Sequence, residues 1–170
     1  MLKLILTFTI SMLVLSCADL KTTSYFTPPI NNLKAYDALE IMDFETAIPN
    51  LPKRILSELP DNIENKLKNN NTHFKEVKHG EITSIDPEKT LVLLGEIKEF
   101  QSGSDIKIEG GSIKFGELSI NISLAIVEKN TGAEITTGEI ASFNTMSFSK
   151  GSKFYDSISN EVLKFIAQNS

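Results

Sequence analysis

The acidic and imidazole side chains are the first places to look for chemistry. Asp43 and Glu45 stand two apart in a stretch of alternating apolar residues, and positions two apart on a strand share a face. Two carboxylates on one face are the raw material of acid–base catalysis. A hydrolytic site also needs a group across a cleft, and no spacing in the chain supplies one, so the pair reads as a solvated strand end. Glu96 and Glu99, three apart in an apolar run, fall on opposite faces of a regular strand and have no joint role. His73 and His79 flank a short strand, six apart with Glu81 close by, and both would face the same side. No cysteine or tightly spaced acid completes a metal set there. Gly110-Gly111-Ser112 lacks both the G-x-G-x-x-G spacing and the Lys-Ser/Thr of a phosphate loop, and reads as a turn or bulge. No G-x-S-x-G elbow is present. Asn121-Ile122-Ser123 matches a glycosylation acceptor but falls inside a strand pattern and is set aside. The expectation is a protein with no catalytic residue, no metal and no cofactor, and not an enzyme.

The remaining reactive residue is the single cysteine, Cys17. Lys3 supplies a positive start, Leu4 to Val14 a short apolar run, and Val14-Leu15-Ser16-Cys17 a small residue just before the thiol. That layout is a secretory signal peptide over residues 1–16, too short and too polar to span a bilayer comfortably. V-L-S-C resembles the bacterial lipobox, in which the signal is cut before the cysteine and the thiol takes on lipid. A lone cysteine in an exported chain has no internal disulfide partner, and lipidation gives it a use. Each acyl methylene buried in a bilayer contributes about 0.8 kcal/mol, so two or three chains anchor firmly.

Removing the signal leaves 154 of the 170 residues, enough for one domain with a real core. Acids outnumber bases 22 to 17, which argues against nucleic acid as a partner and against a polybasic patch for anionic lipids. By charge, the lipid alone would hold the protein to its membrane.

These features need elements to position them. Ala18 to Lys34 is rich in Thr, Ser, Asn and Pro, and residues 17–34 read as a lipidated N-terminus and tether, with Tyr25 and Phe26 able to dock on the domain. A single domain is expected over 35–170. Ala38, Met42 and Phe44 mark a first strand. Leu51, Ile55, Leu56, Leu59, Ile63 and Leu67 then make one apolar helical stripe that keeps phase across Pro60, so one helix kinked at Pro60 is expected. Asn69-Asn70-Asn71 ends it, Phe74 and Val77 mark a short strand, and Leu91 to Gln101 a strong one. Ser102 to Phe115 is either a mobile loop or a twisted ribbon. Leu118, Ile120, Ile122, Leu124 and Ile126 alternate with polar residues, Lys129 to Gly132 makes a hairpin turn, and Glu134 to Phe148 returns. A last helix, with Ser152 as its cap, buries Phe154, Ile158, Val162, Phe165 and Ile166. The fold class is α+β: a two-layer sandwich of a mostly antiparallel sheet covered by two helices.

Leu94-Gly95-Glu96-Ile97, Phe100 and Gly103, followed by a Gly-rich break and a long strand ending in Glu128-Lys129-Asn130-Thr131-Gly132, resemble the bacterial lipoprotein family known as domain of unknown function 4410. Its pattern is G-x-[IV]-x-x-[FY]-x-x-G, then a strand ending D-x-x-T-G. Here Glu128 replaces the Asp, and the family's loop Arg is missing. The upstream strand and helix resemble the α/β domains of periplasmic assembly lipoproteins such as the curli secretion lipoprotein. Together the resemblances cover roughly 36–166 and imply an envelope-assembly role.

The sequence thus points to a membrane-anchored lipoprotein whose domain binds an envelope protein or copies of itself, with Ser119, Asn121 and Ser123 on the exposed sheet face as the interaction surface. The rival is a periplasmic carrier of a small ligand or lipid, held in a cavity lined by Leu118, Ile120, Ile122, Phe154 and Phe165. Ala18 rather than Asp follows Cys17, and by analogy with lipoprotein sorting that favours the outer membrane, facing the periplasm.

Overall fold

The computed structural model describes residues 20–70, 72–102, 106–109, 112–115, 118–144 and 151–169. The signal peptide and Cys17 lie outside the described residues. The strands are β1 (Leu20–Phe26), β2 (Ala38–Ile41), β3 (Glu45–Thr46), β4 (Glu76–His79), β5 (Thr90–Gln101), β6 (Ile106–Glu109), β7 (Ser112–Phe115), β8 (Leu118–Glu128) and β9 (Glu134–Asn144). The helices are α1 (Arg54–Asn69) and α2 (Gly151–Gln168). Seven strands form one mixed sheet in the order β1-β9-β8-β5-β2-β4, with β3 beside β5, and β6 and β7 pair as a separate ribbon. The long ladders β5–β8, β8–β9 and β1–β9 are antiparallel, while β2 runs parallel to both β4 and β5. The α+β sandwich is the architecture observed.

Both helices cover one face of the sheet. α1 buries Ile55, Leu59, Ile63 and Leu67, and α2 buries Phe154, Ile158, Val162, Phe165 and Ile166 against the inward residues Leu91, Leu93, Ile97, Ile120, Ile122, Leu124 and Ile140. The phenylalanines and isoleucines proposed to line a ligand cavity, Ile120, Ile122, Phe154 and Phe165, pack within this core, and Leu118 packs against it. Phe165 stacks on Phe26 with ring centroids 4.2 Å apart.

α1 runs through Pro60 as one element. A proline at this position cannot donate to the carbonyl four residues back, leaving Leu56 without that helical partner. The Phe44 amide takes its place, donating to the Leu56 carbonyl at 2.9 Å and stitching the β2–β3 link to the helix. The freed group is satisfied by tertiary structure, as a buried carbonyl must be.

Two glycines make room for rings. A Cβ at Gly95 would lie 2.5 Å from the Phe44 ring, and one at Gly138 would lie 2.3 Å from the Phe26 ring. Gly95 and Gly138 both stand opposite Leu124, so the two rings cover one row of the sheet on either side of it. The β8–β9 turn is closed by Glu128, whose carboxylate accepts from the Thr131 hydroxyl at 2.8 Å and from the Tyr36 hydroxyl, while Gly132 holds a φ of 70°.

One segment departs from expectation. Residues 20–34 were expected as part of a tether, yet Leu20–Phe26 is the edge strand of the sheet, paired along its whole length with Gly138–Asn144. Its middle residues, Lys21 to Ser24, are polar on both faces, which hid it. Thr22 bonds Ser142 and Ser157 of the helix side at 2.8 and 2.9 Å, so hydroxyls do there what apolar side chains do elsewhere. The prolines Pro28 and Pro29 follow the strand rather than interrupt it.

Candidate interaction surface

The sheet face away from the helices is set by register. Ser119, Asn121 and Ser123 alternate with the buried Ile120, Ile122 and Leu124 and lie half-buried on this outer face, at its middle strand. Crossing the strands, one row runs Glu45, Glu96, Ser123, Glu139 and Tyr25. The next runs Glu99, Asn121, Ala141 and Thr23, and a third Gln101, Ser119, Phe143 and Lys21. The structure therefore brings the three residues together and surrounds them with groups that the sequence reading missed. Tyr25 is 69% exposed, Leu94 41%, Met42 39% and Phe143 36%. Met42, Glu45, Leu94, Glu96, Ser123, Ala125 and Thr137 line an open cleft of about 550 Å³ on this side. Phe143 was legible in the alternation of β9. Tyr25 was not, because its strand was read as tether.

Glu96 and Glu99 share the outer face, contrary to the expectation of opposite faces. The β5–β8 register slips between Ile97 and Glu99, so Lys98 is the extra residue of a bulge and Glu99 is turned to the side of Glu96. The Lys98 ammonium pairs with Glu96.

Asp43 and Glu45 go to different partners. Phe44 between them turns into the core, Glu45 lies beside Glu96 across the β3–β5 pairing, and Asp43 meets His79. His79 Nε2 is 2.9 Å from Asp43 and Nδ1 is 2.6 Å from Asp61 of α1. A carboxylate only accepts, so a ring with carboxylates on both nitrogens is held as the imidazolium. Burial of the ring opposes the charge, but the Asp61 and Asp43 hydrogen bonds and charges outweigh it and raise the pKa above 6.5. His73 is held elsewhere. Its Nε2 meets the Leu33 carbonyl at 2.9 Å, its ring lies on Phe74, and its buried Nδ1 has no partner. Burial lowers its pKa. Among the described residues no three His, Cys, Asp or Glu side chains are grouped so as to hold a metal ion.

A second buried polar group lies at the other end of the outer face. Glu40 accepts from the Ile82 amide at 2.7 Å and pairs with the Lys129 ammonium, which also donates to the Ile82 carbonyl at 2.8 Å. The Ile82 amide and the Lys129 ammonium meet on one carboxylate oxygen, which marks a structural clasp between β2, the loop after β4 and the β8–β9 turn. Glu81 stands 3.8 Å from the same ammonium.

Among the described residues no helix is long and apolar enough to cross a membrane. No protein-family model matches the chain, and no curated protein matches it. The resemblance to the domain of unknown function 4410 therefore rests on the turn and core residues alone. Solved structures do match. The PelC dodecamer from Paraburkholderia phytofirmans aligns at a TM-score of 0.61 and 13% identity, covering 86% of this chain and 97% of that one. A hypothetical protein from Chlamydia trachomatis aligns at 0.50 and 11% identity, covering 78% and 99%. A lipoprotein from Caulobacter crescentus aligns at 0.46 and 13% identity, covering 81% and 90%. At such identities the first two comparisons establish the architecture alone: this chain shares the α+β fold of PelC over most of its length.

Proposed function

We propose that the protein is a non-enzymatic lipoprotein of the bacterial cell envelope, held on a membrane by acylated Cys17, whose outer sheet face, away from the helices, binds an envelope protein or further copies of the chain. The observation that carries this reading is the one-sided sheet. Both helices cover one face, and the other presents Tyr25, Leu94, Met42 and Phe143 among Ser119, Asn121 and Ser123. Exposed aromatic and aliphatic groups set among hydrogen-bonding residues are the makings of a protein interface. A protein of the same fold assembles as a dodecamer, which supports self-association as one form of that contact. Ala18 after the cysteine supports placement at the outer membrane, facing the periplasm, by analogy with lipoprotein sorting. The domain of unknown function 4410 remains the family resemblance that suits these features.

The test is a crosslinking pull-down of the full-length lipidated protein from its native envelope, beside a Cys17→Ala control. A discrete partner, or a ladder of self-crosslinked species, that weakens in the control is the expected result. A monomer with no specific partner in either sample overturns the reading.

A further inference from the structure

Strand β1 borders the main sheet, and we infer that a second copy of the chain pairs with its open side, β1 against β1, about a two-fold axis through Thr23. The contact uses the edge of the sheet and not its outer face, so it goes beyond the surface proposed above. Among the described residues β1 pairs with β9 alone. The residue after the strand gives the direction of its backbone groups. Thr27 and Thr137 continue the β1–β9 register, and the Thr27 amide donates to the Thr137 carbonyl at 2.8 Å. Along an antiparallel strand these groups alternate in direction. Lys21, Thr23 and Tyr25 therefore turn their amides and carbonyls toward β9. Leu20, Thr22, Ser24 and Phe26 turn theirs away from the sheet, a row that serves as a template for another strand.

The occupant is a second copy because β1 is complementary to itself. Only registers that bring the outward groups of both strands together form a ladder, and the one centred on Thr23 pairs all seven residues. Thr22 then meets the partner's Ser24 and Leu20 the partner's Phe26, both as hydrogen-bonded pairs, while Lys21 meets the partner's Tyr25. A centre on Lys21 would instead oppose two ammonium groups. On the outer face the row Ser123, Glu139, Tyr25 continues into the partner's Lys21. Tyr25, 69% exposed in the single chain, is thereby flanked by a carboxylate on one side and an ammonium on the other. On the helix side an open cleft of about 410 Å³ lies beside Ser24 and Phe26, walled by Glu161, Lys164 and Phe165. The partner's Leu20, opposite Phe26, brings an apolar side chain to this cleft beside the Phe26–Phe165 stack. The two-fold axis makes each contact twice, as in an isologous dimer.

Disulfide trapping of the full-length protein in its native envelope tests both the pairing and its register. Facing residues of a non-hydrogen-bonded pair have Cα atoms about 4.5 Å apart, within the span of a disulfide. Thr23→Cys should therefore crosslink to its own copy under a mild oxidant, giving a dimer that a reductant dissolves. The protein whose one cysteine is Cys17 should give none. Tyr25→Cys would stand four residues, about 13 Å, from its own copy, too far for a bond. It should crosslink to a Lys21→Cys chain made in the same cells and not to itself. Ser24→Pro removes an amide that faces away from β9, so adding it to Thr23→Cys should abolish the dimer and leave the melting temperature close to that of Thr23→Cys. A Thr23→Cys chain that stays monomeric overturns the pairing. So does a Tyr25→Cys chain that crosslinks to itself as strongly as Thr23→Cys, and so does a dimer that survives Ser24→Pro.

Discussion

Single residues hold this fold at points where a small change is felt. The Gly95 and Gly138 positions admit no Cβ without moving the buried Phe44 ring or the half-buried Phe26 ring, so Gly95→Ala and Gly138→Ala should each destabilise the domain by about 1–3 kcal/mol. Urea denaturation checks this, and Gly95→Ala combined with Phe44→Leu should recover part of the loss. The His79 clamp yields a pH dependence with a definite sign. Its folded pKa lies above the ordinary 6.5, so its contribution is present in full below that value and is lost as pH rises through the folded pKa. Denaturation midpoints of the native protein should fall relative to His79→Gln between mildly acidic and alkaline buffers. Equal differences at both ends would show that the clamp does not titrate.

At the scale of elements, the joins matter more than the elements themselves. The proline in α1 is tolerated because the Phe44 amide uses the carbonyl that it frees, so helix and sheet are bonded where the helix would otherwise be weakest. The Glu40–Lys129 clasp ties three loops and strands. Removing one partner leaves a buried charge unmatched, and Lys129→Met should cost about 3–5 kcal/mol. The pair Glu40→Met and Lys129→Met should cost much less, measured by the same denaturation curves. The bulge at Lys98 is the third such join, since it alone decides that Glu96 and Glu99 share a face.

At the scale of the whole molecule, the one-sided sheet separates stability from association. Leu94 is exposed on the outer face, so Leu94→Lys should leave the melting temperature within about a degree or two, as surface changes rarely exceed 0.5 kcal/mol. Sedimentation velocity and the envelope pull-down should show weaker self- or partner association in the same variant. A variant that melts early but associates normally would place Leu94 in the core's economy and not in an interface. With the acylation proposed at Cys17, the edge strand β1 would start close to the anchor, because only two residues separate Cys17 from Leu20. On that proposal the domain is expected to sit against the membrane without the spacing that a long tether would give.

Periodicity alone determined the core-facing strands and both helices, because five strict alternations in β8 and the apolar stripes of α1 and α2 leave few ways to bury their apolar residues. It also determined Ser119, Asn121 and Ser123 as outward residues, since every second position of a half-buried strand must face away. Local sequence could not reveal β1, whose pairing depends on hydroxyls of β9 and α2 that lie more than a hundred residues away. Nor could it reveal the joining of Asp43, Asp61 and His79, which come from the β2–β3 link, α1 and β4, or the bulge that turns Glu99. Those were decided by tertiary structure, because each depends on a partner that only the folded chain brings within hydrogen-bonding distance.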